Sequence, residues 1–329
     1  MPYRVWAVLS LTVIPLPITP LTIRKNIMKN LPFNQPGRFW KGNLHTHCTA
    51  SDGKFSAEAV CQRYRAAGYD FMAMTDHFLA HYQFPLTDTR AFRTADFTTI
   101  LGAELHSDLT EMGERWHILA VGLPLDFAHT PDDETAAHLA ARAMAAGAYV
   151  AVAHPNWYGL TERDIANLGM VDAIEVINGT AIDHNDRADS WAVADVMLGR
   201  GQRYLVCATD DFHGKAERHD FARGWVHVKS EALTPEALLA ALKAGYYYSS
   251  NGPEIYDIQV TKGEKLVVHC SPADRVFVTG KGSRAAAAGG YVSTTFELSL
   301  KNFNSPYCRV TVRDIYGRRA WSNPIWFDL

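Results

Sequence analysis

The sequence has few features of a disulfide-stabilised or nucleic-acid-binding protein. Its 329 residues include five cysteines, an odd number, spread along the chain without a Cys-x-x-Cys pair. This spacing indicates reduced, mostly buried thiols of an intracellular protein rather than a disulfide framework. The formal net charge is −3, so no basic field is expected to attract a polynucleotide, and nucleic acid is not favoured as a partner.

The N-terminal segment lacks a long uninterrupted apolar run. Residues 5–14 resemble the core of a signal peptide, but three prolines follow by Pro20 and no small-residue cleavage site closes the segment. A membrane span needs about 20 mostly apolar residues, so stable membrane insertion is not expected. We interpret residues 1–37 as a poorly ordered extension of a cytoplasmic protein. The alternatives are translation from Met28 and export through a signal sequence in residues 1–30.

Motifs of several common enzyme classes are also missing. The sequence has no nucleophile elbow, Cys–His pair or dinucleotide-binding fingerprint. The run Gly280-Lys281-Gly282-Ser283 resembles a phosphate-binding loop, but it lacks the full spacing and no helix follows. It predicts a hairpin turn.

From residue 38 to 250, short apolar runs alternate with helical patterns. Ser56 and Thr234 are residue types that cap helix N-termini, and Gly68 and Gly147 are placed to end helices. Repeated strand–helix units predict parallel strands and, in this number, an α/β barrel. Residues 251–329 show five apolar runs joined by turn residues, which predict a small antiparallel β-sandwich domain.

A pair of histidines, His45 and His47, follows the first predicted strand. Side chains alternate across an extended chain, so these two imidazoles point the same way and can bind one metal ion. Further polar residues follow other predicted strands: His77, Glu104, His154, Asp211 and His213. Because the carboxyl ends of parallel barrel strands meet at one rim, we expect these side chains to converge.

His117 does not fit this pattern, because it lies at the start of its strand. It requires either a reversed strand or an interpretation as a core histidine. The converging set mixes imidazoles with carboxylates, which suits Zn, Mn or Fe. It exceeds what one ion can use, so two or three divalent ions are expected. Paired ions about 3.5–4 Å apart can share a hydroxide.

The motifs, in order along the chain, resemble those of the polymerase and histidinol phosphatase (PHP) superfamily. The resemblance covers about residues 38–250, and the ordered set is far more specific than any one motif. The motifs are His45-Thr46-His47, Asp52, Thr75-Asp76-His77, Gly102-Ala103-Glu104, His117, Ala153-His154-Pro155 and Asp211-Phe212-His213.

Three further segments resemble the carbaryl-hydrolase-like (CehA/McbA) branch of that superfamily, which also appends a sandwich domain. They are Trp40-Lys41-Gly42, Gly252-Pro253-Glu254 and residues 319–324. The resemblance implies a distorted (β/α)7-type PHP barrel over residues 38–250 with the β-sandwich over residues 251–329.

The resemblance also implies a ligand scheme. His45, His47, Glu104 and Asp211 would hold a first ion, and Glu104 would bridge to a second ion bound by His117 and His154. Asp52, His77 and His213 would hold a third, although the family often has histidine where Asp52 stands. Asp76 and Asp210 are expected to orient imidazoles. Glu104, Asp211 and His154 are the residues expected to carry catalysis.

The expected activity is that of a metal-dependent hydrolase that uses a metal-bridging hydroxide. A small phosphoester, and so an anionic small molecule, is the first choice of substrate. Hydrolysis of a carbamate, ester or amide is the alternative, and a non-catalytic binding protein is a further one. His81, Arg115, His184 and Arg187 are candidates to contact substrate. The remaining histidines are interpreted as packing or solvated residues: His106, His129, His138, His219, His227 and His269.

Overall fold

A computed structural model describes Met28 and residues 30–328. Its strands alternate with helices in the first two thirds of the described chain and follow one another directly in the last third. The strands are β1 (Arg38–Asn43), β2 (Phe71–Met74), β3 (His77–Phe78), β4 (Thr98–Leu109), β5 (Arg115–Val121), β6 (Tyr149–Val152), β7 (Ala173–Asn178), β8 (Leu205–Thr209), β9 (Trp225–Ser230), β10 (Tyr247–Ser250), β11 (Ile255–Thr261), β12 (Lys265–Thr279), β13 (Ala285–Ser299), β14 (Tyr307–Arg313), β15 (Arg319–Ser322) and β16 (Ile325–Trp326).

The helices begin and end where the sequence provides caps. Ser56 accepts a hydrogen bond from the Ala59 amide at 3.2 Å, and Gly68 follows the same helix in the left-handed conformation, with φ of 77°. None of the helices in the described range is long and apolar enough to cross a membrane. They are α1 (Ala57–Ala66), α2 (Ala136–Ala145), α3 (Pro155–Tyr158), α4 (Glu162–Leu168), α5 (Gly179–His184), α6 (Trp191–Gly199) and α7 (Pro235–Lys243).

The strands form a mixed sheet, which confirms the α/β class. Strands β1, β2 and β4 are parallel neighbours, as are β6, β7 and β8. The expectation of parallel strands throughout is wrong at β5, which is antiparallel to both β4 and β6. Only residues 110–114 join β4 to β5, and a tight turn with a Thr110–Glu114 backbone hydrogen bond of 2.8 Å reverses the chain there. A parallel neighbour would need a crossover of about a dozen residues.

The sheet does not close into a ring through strand pairing within the described residues. Its order runs from β9 through β1, β2, β4, β5, β6 and β7 to β8. The segments that follow β1 and β8 are linked by an isolated parallel bridge between Thr46 and Phe212. The His47 amide also donates to the Phe212 carbonyl at 2.8 Å. A closed barrel therefore remains a prediction.

The C-terminal strands continue the same sheet. β10 pairs with β9 on one side and with β15 on the other, so the sheet crosses the expected boundary at residue 251. β12 and β13 form one long hairpin, and its turn confirms the prediction for residues 280–283. The core of this part is made of strand residues such as Ile258, Val276 and Val310. A separate sandwich remains a prediction.

The predicted N-terminal extension lies mostly outside the described residues. Of its described part, Leu31 is buried, and the Phe33 ring lies 6.1 Å from the Tyr248 ring. All five cysteines are buried and unpaired, in agreement with the sequence interpretation.

Candidate metal centre

The expected convergence of side chains is present in the structure, but Glu104 lies within β4 and not at its end. His45 and His47 follow β1 in extended backbone, and both are fully buried. Their rings lie on the same side of the chain, 5.2 Å apart. His77 begins the short strand β3 and pairs with Glu104 on β4.

Glu104 is the centre of the cluster. It is fully buried, and both of its carboxylate oxygens face imidazole nitrogens. Oε1 lies 2.7 Å from His117 Nδ1 and 3.0 Å from His154 Nε2. Oε2 lies 2.7 Å from His77 Nδ1 and 3.5 Å from Nε2 of both His45 and His47. One carboxylate therefore contacts five histidines.

The reversed direction of β5 explains the place of His117. Because β4 and β5 are antiparallel neighbours, the start of β5 lies beside the end of β4, with Leu119 opposite Glu104. His117 is thus brought to the same rim from the opposite chain direction. The structure supports the reversed-strand alternative over the core-histidine interpretation.

Asp211 and Asp52 extend the cluster on the other side of His47. Asp211 Oδ1 lies 3.0 Å from His47 Nε2 and 3.3 Å from His45 Nε2. Asp52 Oδ1 lies 3.3 Å from His213 Nε2 and 3.4 Å from His77 Nε2. Lys215 Nζ donates to the second oxygen of Asp52 at 2.7 Å.

These donors form four overlapping groups, and within each group the donor atoms lie within 4.8 Å of one another. The groups are His45–His47–Asp211, His45–Glu104–His154, His47–Asp52–His77–His213 and His77–Glu104–His106–His117. All nine ligand positions expected from the sequence lie in them.

The donor set fits divalent metal ions. Several buried atoms of the cluster have no hydrogen-bond partner within the described part of the chain, including His45 Nε2, Asp52 Oδ1 and Glu104 Oε2. Burying an unsatisfied polar atom costs about 1–3 kcal/mol, and a bound cation would remove that cost. A mixture of imidazole nitrogen and carboxylate oxygen is the set that zinc, manganese and iron accept.

Electrostatics keep the two central carboxylates ionised. Burial would raise the pKa of Glu104, but His117, His77 and His45 hold that pKa well below its usual range. The pKa of Asp211 is likewise lowered, because His45 and His213 outweigh the effect of burial. Burial and the neighbouring His213 and His77 lower the pKa of His47 to about 4, so this imidazole is neutral. Anionic oxygens beside a neutral imidazole suit a cation.

Glu175 is a component that the sequence interpretation missed. It lies on β7, where every residue is buried, and it accepts hydrogen bonds from His45 Nδ1 at 3.0 Å and from the His154 amide at 2.6 Å. Asn178 links it to the cluster by donating to both Glu175 and Asp211. A glutamate within an apolar strand was the available signal, since buried charges need partners.

His106 was also missed. It is interpreted above as a packing or solvated histidine, but its Nε2 lies 2.9 Å from His77 Nδ1 and it belongs to one of the four donor groups. Its position two residues after Glu104 on a strand was the signal, because the two side chains leave the same face.

The expected role of Asp76 and Asp210 is corrected. Asp76 accepts from the Cys48 amide and the Ser51 hydroxyl, and Asp210 accepts from the amides of Arg223 and Gly224. Neither carboxylate bonds an imidazole among the described contacts. They order the loops that flank the cluster instead of orienting the histidines.

The four candidate substrate residues lie outside the cluster. His184 stacks on Trp157 with ring centres 4.6 Å apart, and Arg187 donates to the Trp157 carbonyl. His81 is exposed on a 3-10 turn beside Tyr82. Arg115 is exposed two residues before His117 on β5.

No protein-family model matches the sequence, and no curated protein matches it. Among solved structures, the chain is similar to a two-domain protein from Bacteroides vulgatus that contains a predicted PHP-like metal-dependent phosphoesterase. The TM-score is 0.51 at 14% identity, and the match covers 84% of this chain and 92% of that chain. An amidohydrolase from Chromobacterium violaceum, solved with bound sulfate and no metal, matches with a TM-score of 0.42 at 14% identity over 54% of this chain and 89% of that chain. The first match shows a shared fold.

Proposed function

We propose that this chain is a metal-dependent hydrolase of the PHP superfamily. The observation that carries the proposal is the surroundings of Glu104, a fully buried carboxylate with five imidazoles within 3.5 Å. A packed core gains nothing from so many buried ionisable groups, because each must give up its hydration. Metal ligation supplies a reason for all of them.

The proposed arrangement of ions follows the expected ligand scheme. His45, His47, Glu104 and Asp211 would hold one ion. Glu104 would also bind a second ion with His117 and His154, and Asp52, His77 and His213 would hold a third. When bound, divalent ions supply an activated water and polarise the bond that is cleaved. The chain itself holds the donors in fixed directions through buried hydrogen bonds, chiefly those of Glu175 and Asn178.

A phosphoester is the favoured substrate. Lys215 Nζ donates to Asp52 of the cluster at 2.7 Å, and a guanidinium nitrogen of Arg218 lies 2.7 Å from His184 Nδ1. A cation beside the donors favours an anionic substrate. The structurally similar protein from Bacteroides vulgatus contains a predicted phosphoesterase, which agrees with this choice.

A carbamate or aryl ester is the second candidate, favoured by the aromatic side chains at the cluster. The Tyr158 ring lies 4.6 Å from the His117 ring, and the Trp157 ring lies 5.4 Å from the His154 ring. Aromatic surfaces bind flat apolar groups, which suits an uncharged aryl leaving group.

The two candidates are separated by assaying purified protein against matched aryl substrates. A nitrophenyl phosphate, a bis-nitrophenyl phosphate and a naphthyl carbamate are compared with and without a chelator. We expect hydrolysis of a phosphate ester that the chelator abolishes and that added Zn²⁺ or Mn²⁺ restores. Protein that retains no metal when metal is supplied, and hydrolyses none of the three, would contradict the proposal.

A further inference from the structure

His106 lies against the donor cluster on the side of Glu104 and His117. It follows Glu104 by two residues on β4, and it is the residue directly opposite His117 on β5. Alternation along β4 and direct pairing across β4 and β5 place the three side chains on one face of the sheet. His106 is only 3% exposed, so its imidazole is removed from solvent.

The hydrogen bonds around His106 do not account for both of its ring nitrogens. His77 Nδ1 lies 2.7 Å from Glu104 Oε2 and 2.9 Å from His106 Nε2. The hydrogen bond at this position joins His77 Nδ1 and His106 Nε2, and Glu104 Oε2 has no hydrogen-bond partner among the described residues. One ring nitrogen of His106 is therefore engaged with His77. The other, Nδ1, is buried without a hydrogen-bond partner among the described residues.

We propose that His106 is a further nitrogen donor to the ion that Glu104 and His117 would hold. The donor atoms of His77, Glu104, His106 and His117 all lie within 4.8 Å of one another. This inference rests on the proposed function, since it requires that divalent ions bind at the cluster. It adds one donor to the nine positions of the ligand scheme.

An additional imidazole changes which metals this part of the cluster prefers. Nitrogen-rich sets favour Zn²⁺ over Mn²⁺ and Mg²⁺, which accept oxygen donors more readily. With His106 as donor, the ion beside Glu104 has two imidazole ligands from the same donor group, His106 and His117. The Zn²⁺ affinity of this ion site then depends on His106. The Zn²⁺ affinity of the His45–His47–Asp211 group does not depend on it.

The experiment measures Zn²⁺ and Mn²⁺ binding by the full-length chain after chelator treatment, without any substrate. The variants are His106→Phe, which keeps a ring without donors, and His106→Gln, which keeps polarity. His227→Phe is the matched control, because His227 is also buried on a strand, and its ring stacks on Tyr248 at 4.8 Å. Thermal unfolding of each apo variant checks that the fold is retained.

We expect both His106 variants to bind one Zn²⁺ equivalent about tenfold or more weakly than wild type, with the remaining equivalents unchanged. Mn²⁺ binding should change less, and the control should match wild type. With Co²⁺ as a spectroscopic substitute, the visible absorption of that equivalent should shift in both variants.

Three outcomes are informative. Unchanged Zn²⁺ affinity and Co²⁺ absorption in folded His106 variants would overturn the inference and leave the proposed function standing. The same result with lost activity would reassign His106 as a residue that positions His77, which also overturns it. Wild-type protein that binds none of the three metals would instead refute the proposed function.

Discussion

Glu175 Oε1 accepts a hydrogen bond from His45 Nδ1 at 3.0 Å, in a place where both side chains are fully buried. The bond fixes the His45 hydrogen on Nδ1 and leaves the Nε2 lone pair directed toward Asp211 and Glu104. Carboxylates that bond metal-binding histidines in this way set both the tautomer and the ring direction. Glu175 also accepts a hydrogen bond from the His154 amide. Strand β7, which supplies no expected ligand itself, thus orients two expected ligands, His45 and His154.

Replacing Glu175 with Gln should weaken metal binding without unfolding the protein. The amide keeps the shape but loses the charge that favours the Nδ1–H tautomer, so we expect affinity for one equivalent to fall by about 10- to 100-fold. Calorimetric titration of the chelator-treated variant with Zn²⁺ measures this. Glu236→Gln, at an exposed position on α7, should titrate like wild type. If Glu175→Gln bound Zn²⁺ with the same affinity as wild type, the hydrogen bond from His45 to Glu175 would not control metal binding by His45.

Glu104→Gln should impair activity far more than His213→Ala. Glu104 contacts five imidazoles through both oxygens, whereas His213 joins only the group that contains Asp52 and His77. We expect kcat/KM to fall by about 100-fold or more for Glu104→Gln, with loss of metal at two positions together. Elemental analysis and steady-state kinetics of both variants provide the comparison. Near wild-type turnover by Glu104→Gln would contradict a bridging role.

His227 should make the fold sensitive to mild acid. Burial and the neighbouring Lys41 lower the pKa of His227 to about 3, so the folded imidazole stays neutral. In the unfolded chain the same group gains a proton below its ordinary value of 6.5. The unfolded state therefore binds more protons as pH falls from 6.5 toward 3, and stability is lost over that window.

Between about pH 7 and about pH 5, the free energy of unfolding of wild type should fall because the unfolded chain takes up a proton at His227. The fall should be about 2 kcal/mol smaller in the His227→Phe variant. Urea unfolding at both pH values measures the difference. His138→Gln, at an exposed position on α2, should behave like wild type. Parallel pH profiles for wild type and His227→Phe would refute the assignment.

Asn323 should matter for stability and leave metal binding unaffected. Its side-chain oxygen accepts from the Val206 amide at 2.9 Å, and its nitrogen donates to the Gly245 and Tyr247 carbonyls. Asn323→Ala leaves a buried amide and a buried carbonyl unpaired, which costs about 1–3 kcal/mol. A lower Tm with unchanged metal content is the expected result. Reduced metal content at full stability would indicate a link to the cluster that these contacts do not provide.

The residues at strand ends could be predicted because apolar runs, and the polar residues that follow them, are local features of the sequence. His45, His47 and Asp211 each follow an apolar run directly, and the rule that parallel strands present their carboxyl ends together places them at one rim. The α/β class follows from the same pattern.

The parts that could not be predicted depend on partners distant in sequence. Glu175 and His106 are single polar residues within strands, and their roles are defined only by His45 and His77 on other elements. The first half of β13 is rich in alanine and glycine, which have low strand propensity, so its pairing with β12 decides its structure. The direction of β5 depended on the turn before it.

The bridge between Thr46 and Phe212 sets the order in which the cluster can form during folding. His47 and Asp211 are 164 residues apart along the chain, so these donors meet only after the two segments that carry them have docked against each other. Contacts of such long range form late, because the entropy of closing the chain must be offset first. In a newly made chain, the donor group that contains His47 and Asp211 is therefore incomplete until Asp211 has been synthesised and docked. Metal acquisition should accordingly follow the completion of folding, and refolding in the presence of a chelator should yield apo protein with native secondary structure.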